Sequence, residues 1–224
     1  MIALEHATVA IADCPELDDM CPVPGADRNV WLGVTSDARV LELDLDRGAA
    51  QFLFGRTLVV EPLESSTLQR SFGVQLSQDG LLVAIVTNRG NLGVIVERSS
   101  GRVVVSLRRD GYHAEQVPFP FAFFQREGRQ LAVYAPRWNR LEVIDADTGA
   151  LLTPRADLAY VDERPEHYLD HFYGSLLVSA DGRWLVDNGW VWQPDGVVTS
   201  VSLERWLGGS TYEAEDGDSR RTLV

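Results

Sequence analysis

The stretch from Leu177 to Val198, LVSADGRWLVDNGWVWQPDGVV, decides how the rest of the chain is read. An apolar run ends at Asp181-Gly182, a second at Asn188-Gly189 and a third at Asp195-Gly196. Such dipeptides between short apolar runs are the strongest local hairpin signal, because glycine accepts the positive φ that tight primed turns demand. Three strands in succession predict an antiparallel meander.

Working outward, the closing turn of this unit has counterparts at LELDLDRGAAQF (Leu41 to Phe52), VIVERSSGRVVV (Val94 to Val105) and EVIDADTGALL (Glu142 to Leu152). The glycines Gly48, Gly101, Gly149 and Gly196 are separated by 53, 48 and 47 residues, a repeat period. A second set of turns, Gln78-Asp79-Gly80, Arg126-Glu127-Gly128 and Ala180-Asp181-Gly182, recurs in phase with the first, each followed by an apolar strand. The repeat is therefore four strands long. In the second unit Leu81 to Val86 is continuously apolar, which suits a strand covered on both faces, whereas Arg102 to Arg109 alternates and carries charge. Buried inner strands and wet outer ones are what a propeller blade requires. The expected fold is all-β: one propeller-like domain of about four four-stranded blades, near 7–69, 70–115, 117–155 and 172–207, with 208–224 the start of a further segment or a tail.

The first unit is the least regular. Its middle strands lie between Asp27 and Asp44 with Ser36-Asp37 as their turn, its inner strand is sought in Ala7 to Ala12, and Cys14 to Ala26, with three prolines, reads as loop. Ser200 to Trp206 reads as the outer strand of the fourth unit. Four units are few for a closed ring, so an incomplete ring is expected, with open blade edges that favour a homodimer or belong to a fragment of a longer protein.

The 224 residues carry 20 Lys plus Arg against 33 Asp plus Glu, a net charge of −13, so the summed field repels nucleic acid and anionic membrane. The N-terminus lacks the basic region of a secretory signal and no apolar run approaches membrane-spanning length. A soluble, cytoplasmic protein is expected. Cys14 and Cys21 match no metal-ligand spacing and read as reduced thiols.

These motifs resemble those of bacterial WD40-like or YVTN-like propeller repeat proteins. LSQDGLLVAIV, VSADGRWLV and VIDADTGALL carry the resemblance, the last with the Asp-x-x-x-Gly that closes the third and fourth strands of a blade, and the resemblance covers roughly residues 27 to 207. The resemblance implies a scaffold that presents loops on two faces, and it implies no particular activity.

A few residues stand out as candidates for function. His167 and His171 at i and i+4 could share a helix face and hold a metal, with Asp162, Glu163 or Asp170 as a third ligand; exposed loop histidines are the plainer reading, and no metal or other cofactor is expected. Asp44 and Asp46 lack the spacing of a calcium loop, and Ser77, Ser175 and Ser179 lack a nucleophile elbow. Trp138, flanked by Arg137 and Arg140 at a strand turn, either packs over a neighbouring blade or anchors a partner, since Trp and Arg dominate interface energetics. Meander topology puts Asp44, Asp46, Asp79, Glu127, Asp147, Asp181 and Asp195 on one side, and Arg89, Arg137, Trp138, Arg140, His113, His167 and His171 on the other. The second side is expected to bind an unidentified protein or peptide, acidic in character, with Trp138 as anchor. The competing expectation is a small-molecule enzyme of the lactonase or quinoprotein dehydrogenase kind. Against it, the inner strands SFGVQL, FAFFQ and GSLLVS are almost free of ionisable groups.

Overall fold

A computed structural model describes residues 8–55, 71–155, 160–161, 164–192 and 195–223. Its strands form four antiparallel sheets, each in sequential order. The first joins β1 (Leu17–Pro22), β2 (Val30–Thr35), β3 (Arg39–Asp44) and β4 (Ala49–Gly55), and the second β5 (Ser71–Leu76), β6 (Leu82–Asn88), β7 (Leu92–Glu97) and β8 (Val103–Arg108). The third has three strands, β9 (Phe121–Arg126), β10 (Arg129–Arg137) and β11 (Arg140–Asp145). After a small hairpin of β12 (Tyr160–Val161) and β13 (Arg164–Pro165), the fourth joins β14 (Phe172–Val178), β15 (Trp184–Val191), β16 (Asp195–Ser202) and β17 (Arg221–Thr222). β1 packs against β5, β5 against β9 and β9 against β14. First strands therefore line the inside of an arc and last strands its outside, which is the all-β blade arrangement the repeat implies.

Each interface between sheets is an apolar layer. Leu32, Val34, Val40 and Phe54 meet Phe72, Val74, Val83 and Ile85 at the first. Leu82, Ala84 and Val86 meet Phe119, Phe121 and Phe123 at the second. β6 thus sends alternate side chains into two interfaces, and this is why it is continuously apolar; each such side chain contributes roughly 1.5–3 kcal/mol on burial. Cys21 abuts the first layer, where burial, then Asp19, push its thiol up to about 12.

Two of the recurrent turns share one chemistry. Ser77 donates to Asp79 at 2.6 Å and accepts from the Leu82 amide at 2.9 Å. Ser179 repeats this with Asp181 at 2.6 Å and the Trp184 amide at 3.0 Å. Gly80 and Gly182 close them with φ of 74° and 68°, and Gly128 closes the tighter β9–β10 turn at 75°; a Cβ would be strained at all three. Between the third and fourth strands, a Cβ on Gly101 would meet Phe54 of β4 at 2.7 Å and one on Gly149 would meet Val105 of β8 at 3.4 Å. The outer turn of one blade thus lies on the last strand of the blade before it.

Four expectations are corrected. The inner strand of the first sheet is Leu17–Pro22, inside the stretch read as loop. The prolines bracket it: Pro15 precedes the strand, and Pro22 stands at its end. Thr8 to Ala12 is no strand, while Ala7 lies outside the described residues. Asn188-Gly189 is not a turn but lies within β15, paired with Val198 and Val197. Gly189 serves space rather than φ, for a Cβ there would collide with the Phe172 carbonyl oxygen and meet His171 Nε2 at 2.7 Å. The turn falls after Trp192 instead, so Asp195 starts β16 on the same side as Trp138 and leaves the acidic side. Finally, Leu203 begins a helix, not an outer strand: α1 (Leu203–Leu207) and α2 (Glu213–Asp216) are inserted before β17, and Leu203, Trp206 and Ala214 fill the wedge between the third and fourth sheets.

Candidate functional site

The connection from β8 to β9 is shaped by one buried cation. The Arg109 guanidinium donates to the carbonyls of Gly90 (2.6 Å), Ala114 (2.6 Å), Val117 (3.0 Å) and Pro118 (3.2 Å) and lies 5.4 Å from the Phe119 ring. Burial draws its pKa down to about 10, with Asp110 and Glu115 opposing. Anchored in this way, the loop turns through His113 at φ 50° and presents Tyr112 and His113 outward.

Three other segments on the same side bring rings to meet them. Trp138, in the β10–β11 turn, lies 4.4 Å from Phe172 and 5.3 Å from Tyr112 between ring centroids. Phe172 is fully buried beneath Trp138, stacked on Trp190 at 4.1 Å and parallel to Tyr112 at 5.9 Å. Trp192, from the β15–β16 turn, stands edge-on to His113 at 5.1 Å and to Phe172 at 5.1 Å, and Tyr168 meets Trp138 at 6.5 Å. The tilted and edge-to-face geometries are those that favour aromatic pairs. Tyr112 and Trp192 are 48% and 42% exposed, so the cluster is a half-open platform over a closed base.

Beside it, Asp110 Oδ2 accepts from the Trp138 amide at 3.4 Å while Oδ1 is buried with no hydrogen-bond partner. Burial pushes the Asp110 carboxyl up, against the amides of Trp138 and Tyr112 and the charges of Arg109 and Arg137. Arg137 is exposed next to this carboxylate. Arg140 is turned inward and paired with Glu142 at 3.1 Å. Arg89 is exposed in the β6–β7 turn at φ 55°.

The other two candidate histidines part company, a further correction. The segment from Glu166 to His171 is not helical. His167 bonds Asp216 at 2.7 Å and stacks on Tyr212 at 3.8 Å, whereas His171 is buried against Asp187 at 2.5 Å. Asp187 also accepts the Gly174 amide at 2.8 Å, so this pair ties β14 to β15 under the platform. Asp162 and Glu163 lie outside the described residues. Of the sequence candidates, the structure brings Trp138 and His113 into one cluster with Arg137 beside it. Tyr112, Phe172, Tyr168, Trp190 and Trp192 were missed, because each is a single aromatic residue with no local motif around it.

The inner strands border a half-open cavity of about 290 Å³ lined by Asp18, Asp19, Phe72, Gln75, Asn88 and Ser175, among others. Its carboxylates arrive with the unexpected β1 and are engaged: Asp18 accepts the Phe72 amide at 2.8 Å and Asp19 the Val74 amide at 2.9 Å. They cap the inner edge of β5, and Gln75 reaches the Phe121 carbonyl at 2.9 Å. The cavity is a stitched seam between blades.

No family model matches the chain, and no curated protein matches it. Solved structures do. Hydrazine synthase of Kuenenia stuttgartiensis matches over 99% of this chain and 53% of its own, with a TM-score of 0.56 at 13% identity. The WD40 repeats of RRP9 match over 98% and 52% (TM-score 0.52, 15% identity). The β-propeller domain of Myceliophteria thermophila Cps50 (Swd1) matches over 84% and 52% (TM-score 0.52, 12% identity). At these identities the likeness is one of fold, and the chain spans about half the length of the structures it matches.

Proposed function

We propose that this WD40-like propeller chain is a non-catalytic scaffold that captures a protein or peptide segment on the platform of Tyr112, His113, Trp138 and Trp192. One observation carries the reading: rings from three separate segments converge over Phe172, buried in a fourth, and remain partly exposed. Rigid rings held over a closed base offer contact area at low entropic cost, the property of interface hot spots. Exposed Arg137 supplies a cationic rim for an acidic stretch of the partner on an otherwise anionic chain. A cytoplasmic setting belongs to the same proposal, and both cysteines are free thiols.

The enzyme alternative gains no support from the inner cavity, whose two carboxylates are engaged by backbone amides. Hydrazine synthase, one of the structural neighbours, is an enzyme by name, and a fold likeness at 13% identity carries no chemistry over to these residues.

The test is selection of peptides from a random display library on the immobilised chain, with affinities then measured by calorimetry. Trp192→Ala and Tyr112→Ala should each weaken the selected peptides at least about tenfold, matching a hot-spot loss above 1 kcal/mol. Arg109→Ala should do the same indirectly by releasing the loop, and should also lower the melting temperature. No enrichment over a control protein, or peptides indifferent to all three variants, defeats the proposal.

A further inference from the structure

Two consecutive carboxylates line the inner cavity, an arrangement that a regular strand does not produce, since neighbouring side chains of a strand point to opposite faces. β1 achieves it with a bulge: Leu17 pairs with Thr35 and Asp19 with Val34, so Asp18 is an extra residue without a counterpart on β2. Both side chains then reach β5, where Asp18 accepts from the Phe72 amide and Asp19 from the Val74 amide. Each does so with Oδ2 alone, and the second oxygen of each has no hydrogen-bond partner among the described residues. Capping two amides requires two acceptors and no charge, and the carbonyl oxygen of asparagine would serve as well. The two negative charges therefore exceed what the seam between blades needs. Asp18 is half-buried and Asp19 exposed, so a molecule arriving from solvent can meet them.

The rest of the polar lining shares this bias. Asn88 Oδ1 is buried and has no hydrogen-bond partner. Gln75 gives its Nε2 to the Phe121 carbonyl at 2.9 Å, which leaves its oxygen unengaged. No Arg, Lys or His lines the cavity among the described residues. Arg109, which reaches the Pro118 carbonyl of the wall at 3.2 Å, is already engaged by four backbone carbonyls. Apart from the Ser175 hydroxyl, which can turn to either role, the free groups are acceptors, two of them charged, beside the rings of Phe72 and Phe119. A half-open cleft of one charge sign between apolar walls focuses its field on whatever enters.

We infer that this cavity binds an organic cation, an ammonium or guanidinium on a short apolar stem, with its head on Asp18, Asp19 and Asn88 and its stem against Phe72 and Phe119. Both heads are hydrogen-bond donors only, so they match the free acceptors of the lining, and a ring face adds its own attraction for a cation. A metal ion matches less well. Among the described residues no group of three or more His, Cys, Asp or Glu is placed to hold one. The volume of about 290 Å³ is close to that of small-ligand pockets, which begin at roughly 300 Å³, rather than to that of a single ion. Tyr112, Trp138 and Trp192 do not line the cavity, so cation binding and peptide capture succeed or fail separately.

Calorimetric titration of the full chain with benzamidine and with agmatine should give saturable binding, whereas benzamide and benzoate, which lack the positive charge, should give none. Asp18→Asn and Asp19→Asn keep the amide caps, so each should leave the melting temperature near that of wild type and weaken benzamidine at least about tenfold, the worth of one hydrogen bond to a charged group. If those variants do not fold, Asn88→Leu, which touches neither cap, should weaken benzamidine in the same way. Trp192→Ala should leave its affinity unchanged. Acetyl-arginine amide binding more tightly than agmatine would assign the cation to a side chain of a partner, and the reverse order to a free amine; both outcomes support the site. Absence of saturable binding by either amine, benzamide binding as tightly as benzamidine, folded Asp variants of unchanged affinity, or calcium ion binding more tightly than either amine would overturn the inference.

Discussion

At the scale of single residues, glycine shows how one letter carries two meanings. Gly182 and Gly189 both follow an acid or amide in the same meander, and both look like hairpin glycines in sequence. Gly182 is one, with φ 68°, whereas Gly189 sits in mid-strand because the Phe172 carbonyl and the His171 ring leave no room for a Cβ. That crowding depends on a residue pair brought in from the neighbouring strand, so it could not be read locally. Gly189→Ala should therefore destabilise the chain by about 1–3 kcal/mol, the cost of overpacking a closed site. Gly196→Ala, where a Cβ meets nothing within 4 Å, should change stability by less than about 0.5 kcal/mol. Urea midpoints of the two variants check the pair; equal losses would mean that Gly189 is a turn after all. Trp138 was legible as a candidate because an Arg-flanked Trp at a turn is locally conspicuous. Its companions Tyr112, Trp190 and Trp192 became a site only through the assembly of blades.

At the scale of elements, turns with a side-chain device were legible and elements defined by tertiary cover were not. Ser77-Asp79 and Ser179-Asp181 bond within themselves, so their sequence repeats with their geometry. β1 was hidden by flanking prolines, and α1 and α2 by their brevity: five and four residues carry no periodicity, and their order comes from Leu203, Trp206 and Ala214 in the wedge. The β11 turn ties its device to acid stability. Burial pushes the Asp145 carboxyl up, but hydrogen bonds from Thr148 and Arg129 outweigh it and hold its pKa below the ordinary 3.8. A depressed folded-state value means stability that is fully present above pH 3.8 and lost as pH falls through the lower value. Asp145→Asn should thus be less stable than wild type near neutrality and lose less on acidification. Urea midpoints measured on both sides of that range check it, and parallel pH profiles would contradict it.

At the scale of the molecule, the chain is half the length of the propellers it matches and manages its two ends unequally, one covered by residues 10–12 and one bare among the described residues. Open sheet faces and edges invite association, and how many remain open sets whether association stops. Deleting residues 1–13 should expose Leu41 and widen the half-open cavity of about 340 Å³ that Ala12 and Asp13 line with Leu41 and Phe52. The face so uncovered is of blade type and invites association. The expected result is a scattering mass that exceeds that of the intact chain and rises with concentration. If the shortened chain keeps the mass of the intact one, the leading segment is not what limits assembly, and the unequal treatment of the two ends has no bearing on how many copies associate.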